Sequence, residues 1–121
     1  MSTPHRDPSG LRDTPLFPMP PVTEQALRVA VTSLDPVEAV RFELEFHAAW
    51  QEAVQTDSTV PMHTFLHRWA VFVALRRIPA RPERLRELEE AGARAVTVEE
   101  ARAAGAGISK LPAEAAREVG A

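Results

Sequence analysis

The stretch from Pro61 to Leu75, PMHTFLHRWAVFVAL, decides the fold class of this chain. Its large apolar residues recur three and four positions apart, which is the spacing of a buried helix face. Pro61 suits the first turn of a helix, where its missing N–H costs no hydrogen bond. The stretch therefore predicts a buried helix that ends near Arg77. Its main apolar stripe is Met62, Phe65, Leu66, Trp69, Phe72 and Val73.

Two helices are predicted before this stretch. Thr23 can cap a short helix that ends near Ser33, and Asp35 followed by Pro36 opens a longer helix through about Val54. The longer helix has two apolar sectors, so we expect it to be central and buried on two sides, in a core and against something further. The sectors are Val37, Val40, Leu44 and Ala48 on one side, and Phe42, Phe46, Trp50 and Ala53 on the other. Trp50 and Trp69 are expected to be the bulkiest core residues.

Charged and small residues dominate the chain after residue 78. A charged helix is predicted over 82–90, and the capping box of Thr97 and Glu100 opens a helix over 98–104. Three residues argue against a longer last helix: Gly105, Gly107 and Pro112. No segment shows the alternation of a strand. The fold class predicted is all-α, a small bundle of four to five helices.

Composition divides the chain into three parts. Six of the 11 prolines lie in residues 1–21, which predicts a disordered Pro-rich tail. Within this tail, residues 16–21 are either a short docking peptide or part of a plain tail. Residues 22–94 are the predicted helical core domain, and 95–121 form a C-terminal helical segment that is loosely attached or folded back on the core.

The chain has 121 residues, a net charge of −3 and no cysteine. The absence of cysteine excludes both a disulfide framework and a thiolate zinc site, and it fits a reducing compartment. The longest dense apolar run, residues 69–75, is less than half of a membrane span. The N-terminus has no apolar core like that of a signal peptide. These features predict a cytoplasmic protein.

Catalytic and metal-binding patterns are weak. His63 and His67 lie four residues apart and could hold one metal ion, with His47 or Glu43 as a third ligand. Such pairs are more often the flank of an amphipathic helix, and Thr64 stands where a zinc protease has its catalytic glutamate. No Ser-His-Asp spacing is recognisable. We therefore expect no enzyme activity, no cofactor and no metal.

A second apolar patch on the helix from Pro61 suggests a partner surface. Val71, Leu75 and Ile78 lie away from the main stripe, and Arg68 borders them. Apolar surface left over on a small protein often marks an interface, so these four residues are the candidate partner-binding site. The alternative is that the N-terminal helix or residues 98–104 fold back over the patch.

A strip of arginines supports a different class, a nucleic-acid-binding regulatory protein. The net negative charge and the interspersed glutamates argue against it. The arginines in the strip from Arg68 to Arg86 that would contact phosphates are Arg76, Arg77, Arg81 and Arg84.

Residues 61–75, preceded by RFELEF at 41–46, resemble a family of short actinobacterial all-helical proteins of unknown function. In that family a helix rich in Phe and acidic residues precedes a Pro/His-led helix with a central Arg-Trp. The resemblance covers roughly residues 23–88 and carries no catalytic residue. It implies an antitoxin-like protein, so the function predicted is a protein–protein interaction module whose partner is another protein, such as a toxin, or a second copy of itself.

Overall fold

The computed structural model describes residues 12–120. Five α-helices lie wholly within this range, and no strand occurs in it. The prediction of an all-α bundle is therefore confirmed. The helices are α1 (Glu24–Leu34), α2 (Pro36–Thr56), α3 (Val60–Arg76), α4 (Ala80–Ala93) and α5 (Val98–Gly120).

The first two helices begin where their capping residues predict. The Thr23 side chain accepts a hydrogen bond from the backbone N–H of Ala26 at 3.2 Å, which satisfies a free donor at the start of α1. Asp35 alone separates α1 from α2, and its carboxylate accepts from the N–H of Val37 at 3.0 Å. Asp57 ends α2 in the left-handed conformation, with φ of 49°. Capping side chains therefore set the starts of α1 and α2.

The centre of the bundle is α3, which packs against each of the other four helices. Trp69 is 4% exposed, and its ring meets those of Phe42 and Phe72 edge-on, with centroids 5.2 and 5.0 Å apart. The core residues of α1 to α3 are Leu27, Ala30, Val31, Phe42, Phe65, Trp69, Ala70 and Val73. The predicted burial of Trp69 is confirmed. Of the two helices expected at the centre, α3 contacts all four others, whereas α2 packs mainly against α1 and α3.

Trp50 is 56% exposed, so the prediction that it belongs to the core is wrong. The reason lies in the length of α1. This helix has 11 residues and leads directly into α2, which has 21, so it can cover only about the first half of α2. An ion pair between Arg28 and Glu43 marks the covered part. Trp50 lies beyond it.

The last helix, α5, is continuous over 23 residues, contrary to the expected break after residue 104. Its buried residues Ala104, Leu111 and Ala115 recur at helical spacing, and α5 packs against both α3 and α4. Gly107 lies so close to α4 that a Cβ atom there would be 2.8 Å from the Cδ1 atom of Leu88. Packing against α3 and α4 thus outweighs the low helix propensity of glycine and proline.

The described part of the predicted tail, residues 12–21, lies against the bundle. Phe17 and Met19 pack on the core cluster, and the N–H of Leu16 donates to the carbonyl oxygen of Arg77 at 2.7 Å. Four prolines restrict the backbone of this segment, which lowers the entropic cost of ordering it. The expectation of disorder therefore does not hold for residues 12–21. Residues 1–11, to which it also applied, lie outside the described part of the chain.

Candidate functional site

One side of α2 carries large apolar residues that face solvent along the whole helix. Val37, Val40, Leu44 and Val54 keep 76, 62, 69 and 63% of their surface exposed. Two polar residues, also exposed, lie between them on the same side. Together these residues form the surface that we call the outer face of α2: Val37, Val40, Leu44, His47, Gln51 and Val54.

The outer face contains most of one of the two apolar sectors that the sequence predicts for α2. The other sector is turned towards α1 and α3, since Phe42 is fully buried and Phe46 packs on the core. The sequence predicted that α2 is buried on two sides, in the core and against another element. The sector of Val37, Val40 and Leu44 is the one left over, and no other element within residues 12–120 covers it. The partner-binding site predicted from the sequence does not include this face, although residues 37, 40, 44, 47, 51 and 54 recur at the three- and four-residue spacing of one helix side.

The edge of α2 next to α1 carries an ion pair. The guanidinium of Arg28 bonds the carboxylate of Glu43 and lies over the rings of Phe42 and Phe46, 5.6 and 5.7 Å from their centroids. The hydrogen bond from Arg28 holds the pKa of Glu43 below its usual range. This edge is therefore neutralised within the chain.

The edge next to α3 is also paired. The Glu45 carboxylate accepts from the Nε of Arg41 at 2.8 Å and from a terminal nitrogen of Arg68 at 2.9 Å. Each edge of α2 thus carries a paired carboxylate beside a largely apolar strip. An apolar centre with a polar rim is the usual anatomy of a protein–protein interface.

The four residues of the predicted partner-binding site do not form one exposed surface. Arg68 is exposed, whereas Val71, Leu75 and Ile78 are each half-buried. α5 packs against α3, and Ile78 shares a pocket with Leu111 of α5. A C-terminal helix folded back on the core was the alternative that the sequence left open. The outer face of α2 is more exposed than this patch.

Two arginines of the predicted nucleic-acid strip are engaged by α5. Arg77 and Arg81 both donate to the carboxylate of Glu118, at 3.2 and 2.5 Å, and we call this arrangement the Glu118 clasp. Arg81 also donates to the carbonyl oxygen of Ala74 at 2.7 Å. The side chains of Arg77 and Arg81 are only 11 and 17% exposed. They tie α5 to the end of α3.

The other two arginines of the strip remain partly accessible. Arg76 reaches the carboxylate of Asp35 at 3.6 Å, and its guanidinium lies over the ring of Phe72. Arg84 pairs with Glu87 at 3.4 Å on the surface of α4. The structure thus divides these four arginines into two that are largely covered, Arg77 and Arg81, and two that lie on the surface, Arg76 and Arg84.

No metal site is formed by the residues that the structure describes. His63 and His67 are both exposed on α3, and no group of three or more His, Asp or Glu side chains in residues 12–120 converges on one point. His47, proposed as a third ligand, lies on the outer face of α2.

Searches against protein-family models, curated proteins and solved structures return no match. Within residues 12–120, no helix combines the length and the hydropathy needed to cross a bilayer. The candidate site therefore depends on the geometry of the chain itself.

Proposed function

We propose that this chain is a cytoplasmic, non-catalytic protein-binding module that docks through the outer face of α2. One observation supports this most strongly. Four aliphatic side chains on one side of a single helix are each about two thirds exposed. Scattered exposed hydrophobic residues are normal on protein surfaces, but four of them on one side of a single helix, spread over about five turns, are typical of a docking surface.

The free energy available on this face is enough to support binding. Burying a whole Val or Leu side chain contributes about 1.5–3 kcal/mol, so the exposed two thirds of each contributes about 1–2 kcal/mol. The four residues together supply about 4–8 kcal/mol, and a partner would add a comparable apolar surface of its own. Association itself costs about 4–15 kcal/mol. The proposed complex is therefore reversible.

The antitoxin-like role implied by the resemblance is one form of this function, since such a protein acts by occupying another protein. The nucleic-acid alternative has less support, because the Glu118 clasp occupies Arg77 and Arg81. A phosphate would have to compete with a carboxylate already bonded to both guanidinium groups.

Quantitative affinity capture from extracts of the native cell tests the proposal. Tagged wild-type chain is compared with Leu44→Glu, which places a charge in the middle of the outer face. Val98→Glu is the matched control, because Val98 is 65% exposed in the first turn of α5, where an acidic residue is compatible with the helix. We expect a protein that the wild type and the control retain and Leu44→Glu loses. Identical captured sets for all three would refute the proposal.

A further inference from the structure

We infer that the outer face of α2 binds the same face of a second copy of this chain, with the two helices antiparallel. The inference rests on the proposed function and adds the identity of the occupant. It depends on the spacing of the exposed residues, the exposed area and the position of Trp50.

The outer face has the spacing of a coiled-coil seam. Its six positions are separated alternately by three and four residues, from Val37 to Val54. In heptad terms Val37, Leu44 and Gln51 are a positions, and the other three are d positions. A helix that packs into an ordinary globular core presents a wider apolar stripe, whereas a strict a and d seam is suited to one facing helix.

Antiparallel pairing brings the a and d positions of the seam into register along its whole length. When two copies of α2 run in opposite directions about a twofold axis, each a position lies opposite a d position of the other copy. The axis then crosses α2 between Glu45 and Phe46, and the ends of both seams coincide. The layers pair Val37 with Val54, Val40 with Gln51 and Leu44 with His47 of the second copy.

The antiparallel arrangement also covers Trp50. This residue is a g position, and antiparallel g positions face each other, so Trp50 lies opposite Glu43 of the second copy. Glu43 is bonded to Arg28, which offers the Trp50 ring a neutralised and partly apolar neighbour. In addition, opposed helix dipoles favour the antiparallel orientation over the parallel one.

The exposed area is close to what a reversible dimer needs. A whole Val or Leu side chain removes about 60–120 Å² of apolar surface from water, and an aromatic one about 150–250 Å². With the observed exposures, the four aliphatic residues and Trp50 offer roughly 350 Å² on each copy. Because about 60% of an interface is apolar, the dimer buries roughly 1,200 Å² in total, the lower limit for a standard interface. We therefore expect a weak, reversible dimer.

Analytical ultracentrifugation of the full chain, from about 1 to about 500 µM, tests self-association. The wild type and Val98→Glu should show the same monomer–dimer equilibrium. Leu44→Glu should weaken it by about 30-fold or more, because a charge would be buried in both central layers. His47→Leu should tighten it by about 10-fold, because it replaces the polar residue opposite Leu44. Far-UV circular dichroism should be unchanged in every variant, since these side chains are exposed in the monomer.

A wild type that stays monomeric at the highest concentration overturns the inference, and so does a Leu44→Glu variant that dimerises normally. If the wild type is monomeric while Leu44→Glu still loses a protein captured from extracts, the second copy is excluded and the proposed function stands. If the wild type is monomeric and Leu44→Glu loses no captured protein, both the inferred dimer and the proposed function are refuted.

The absence of cysteine allows a clean test of orientation. Val37→Cys and Val54→Cys are prepared as separate variants, oxidised alone and as a mixture, and analysed by intact mass. Antiparallel pairing predicts a disulfide between the two different variants and little within either one. Dominant disulfides within each variant indicate parallel helices and refute the proposed geometry, as does the absence of any disulfide.

Discussion

Replacing Glu118 with glutamine should destabilise the bundle by about 2 kcal/mol at neutral pH. The carboxylate bonds both Arg77 and Arg81, whose side chains are largely buried, and Glu118 itself is only 28% exposed. Solvent therefore screens these bonds less than those of a surface pair. Hydrogen bonds to charged groups contribute about 1.5–3 kcal/mol, and glutamine keeps one acceptor oxygen but no charge. The loss should detach the end of α5 from α3.

The Glu118 clasp also predicts that the free energy of unfolding depends on pH. The hydrogen bond from Arg81, together with that from Arg77, holds the pKa of Glu118 below its usual value of 4.5. A carboxyl whose pKa is lower in the folded state stabilises the fold above its unfolded pKa. This contribution is lost as the pH falls through the folded pKa. The difference between wild type and Glu118→Gln should therefore shrink on acidification below about pH 4.5.

Urea unfolding followed by far-UV circular dichroism, at about pH 7 and about pH 3, measures both effects. Glu87→Gln is the control, since Glu87 is 66% exposed and pairs with Arg84 on the surface. It should cost less than about 0.5 kcal/mol. The reasoning is refuted if Glu118→Gln is as stable as the wild type at neutral pH, or if its deficit is equally large in acid.

Four further changes test the packing, each by urea unfolding. Trp69→Ala should cost about 3–5 kcal/mol, as large-to-small changes of buried aromatic residues do, and a loss below about 1 kcal/mol would mean that the ring is not in the core. Gly105→Ala should stabilise α5 by about 0.5–1 kcal/mol, because no atom obstructs a Cβ there. Gly107→Ala should gain less, since Leu88 must move, and an equal gain would contradict that contact. Phe17→Ala should cost about 1–2 kcal/mol, whereas no change would mean that residues 12–21 do not stabilise the bundle.

The sequence predicted those features that depend on residues close together in the chain. Thr23 and Asp35 bond backbone groups within three residues of themselves, so the starts of α1 and α2 could be recognised from residue type and position. The buried face of α3 follows from the helical period, because residues three and four apart must point the same way. The class of the fold and the burial of Trp69 were predictable for this reason.

Three features were decided only by tertiary structure. Trp50 and Phe46 occupy the same sector of α2, yet only Phe46 packs on the core, because α1 ends too soon to cover Trp50. α5 continues through Gly107 because Leu88 of α4 fills the space that a side chain would take. Likewise, periodicity defined two apolar sectors on α2, but only the placement of α1 and α3 left one of them in solvent. A helical period specifies which residues share a face, whereas burial depends on distant segments that pack there, and their contacts outweigh local propensity.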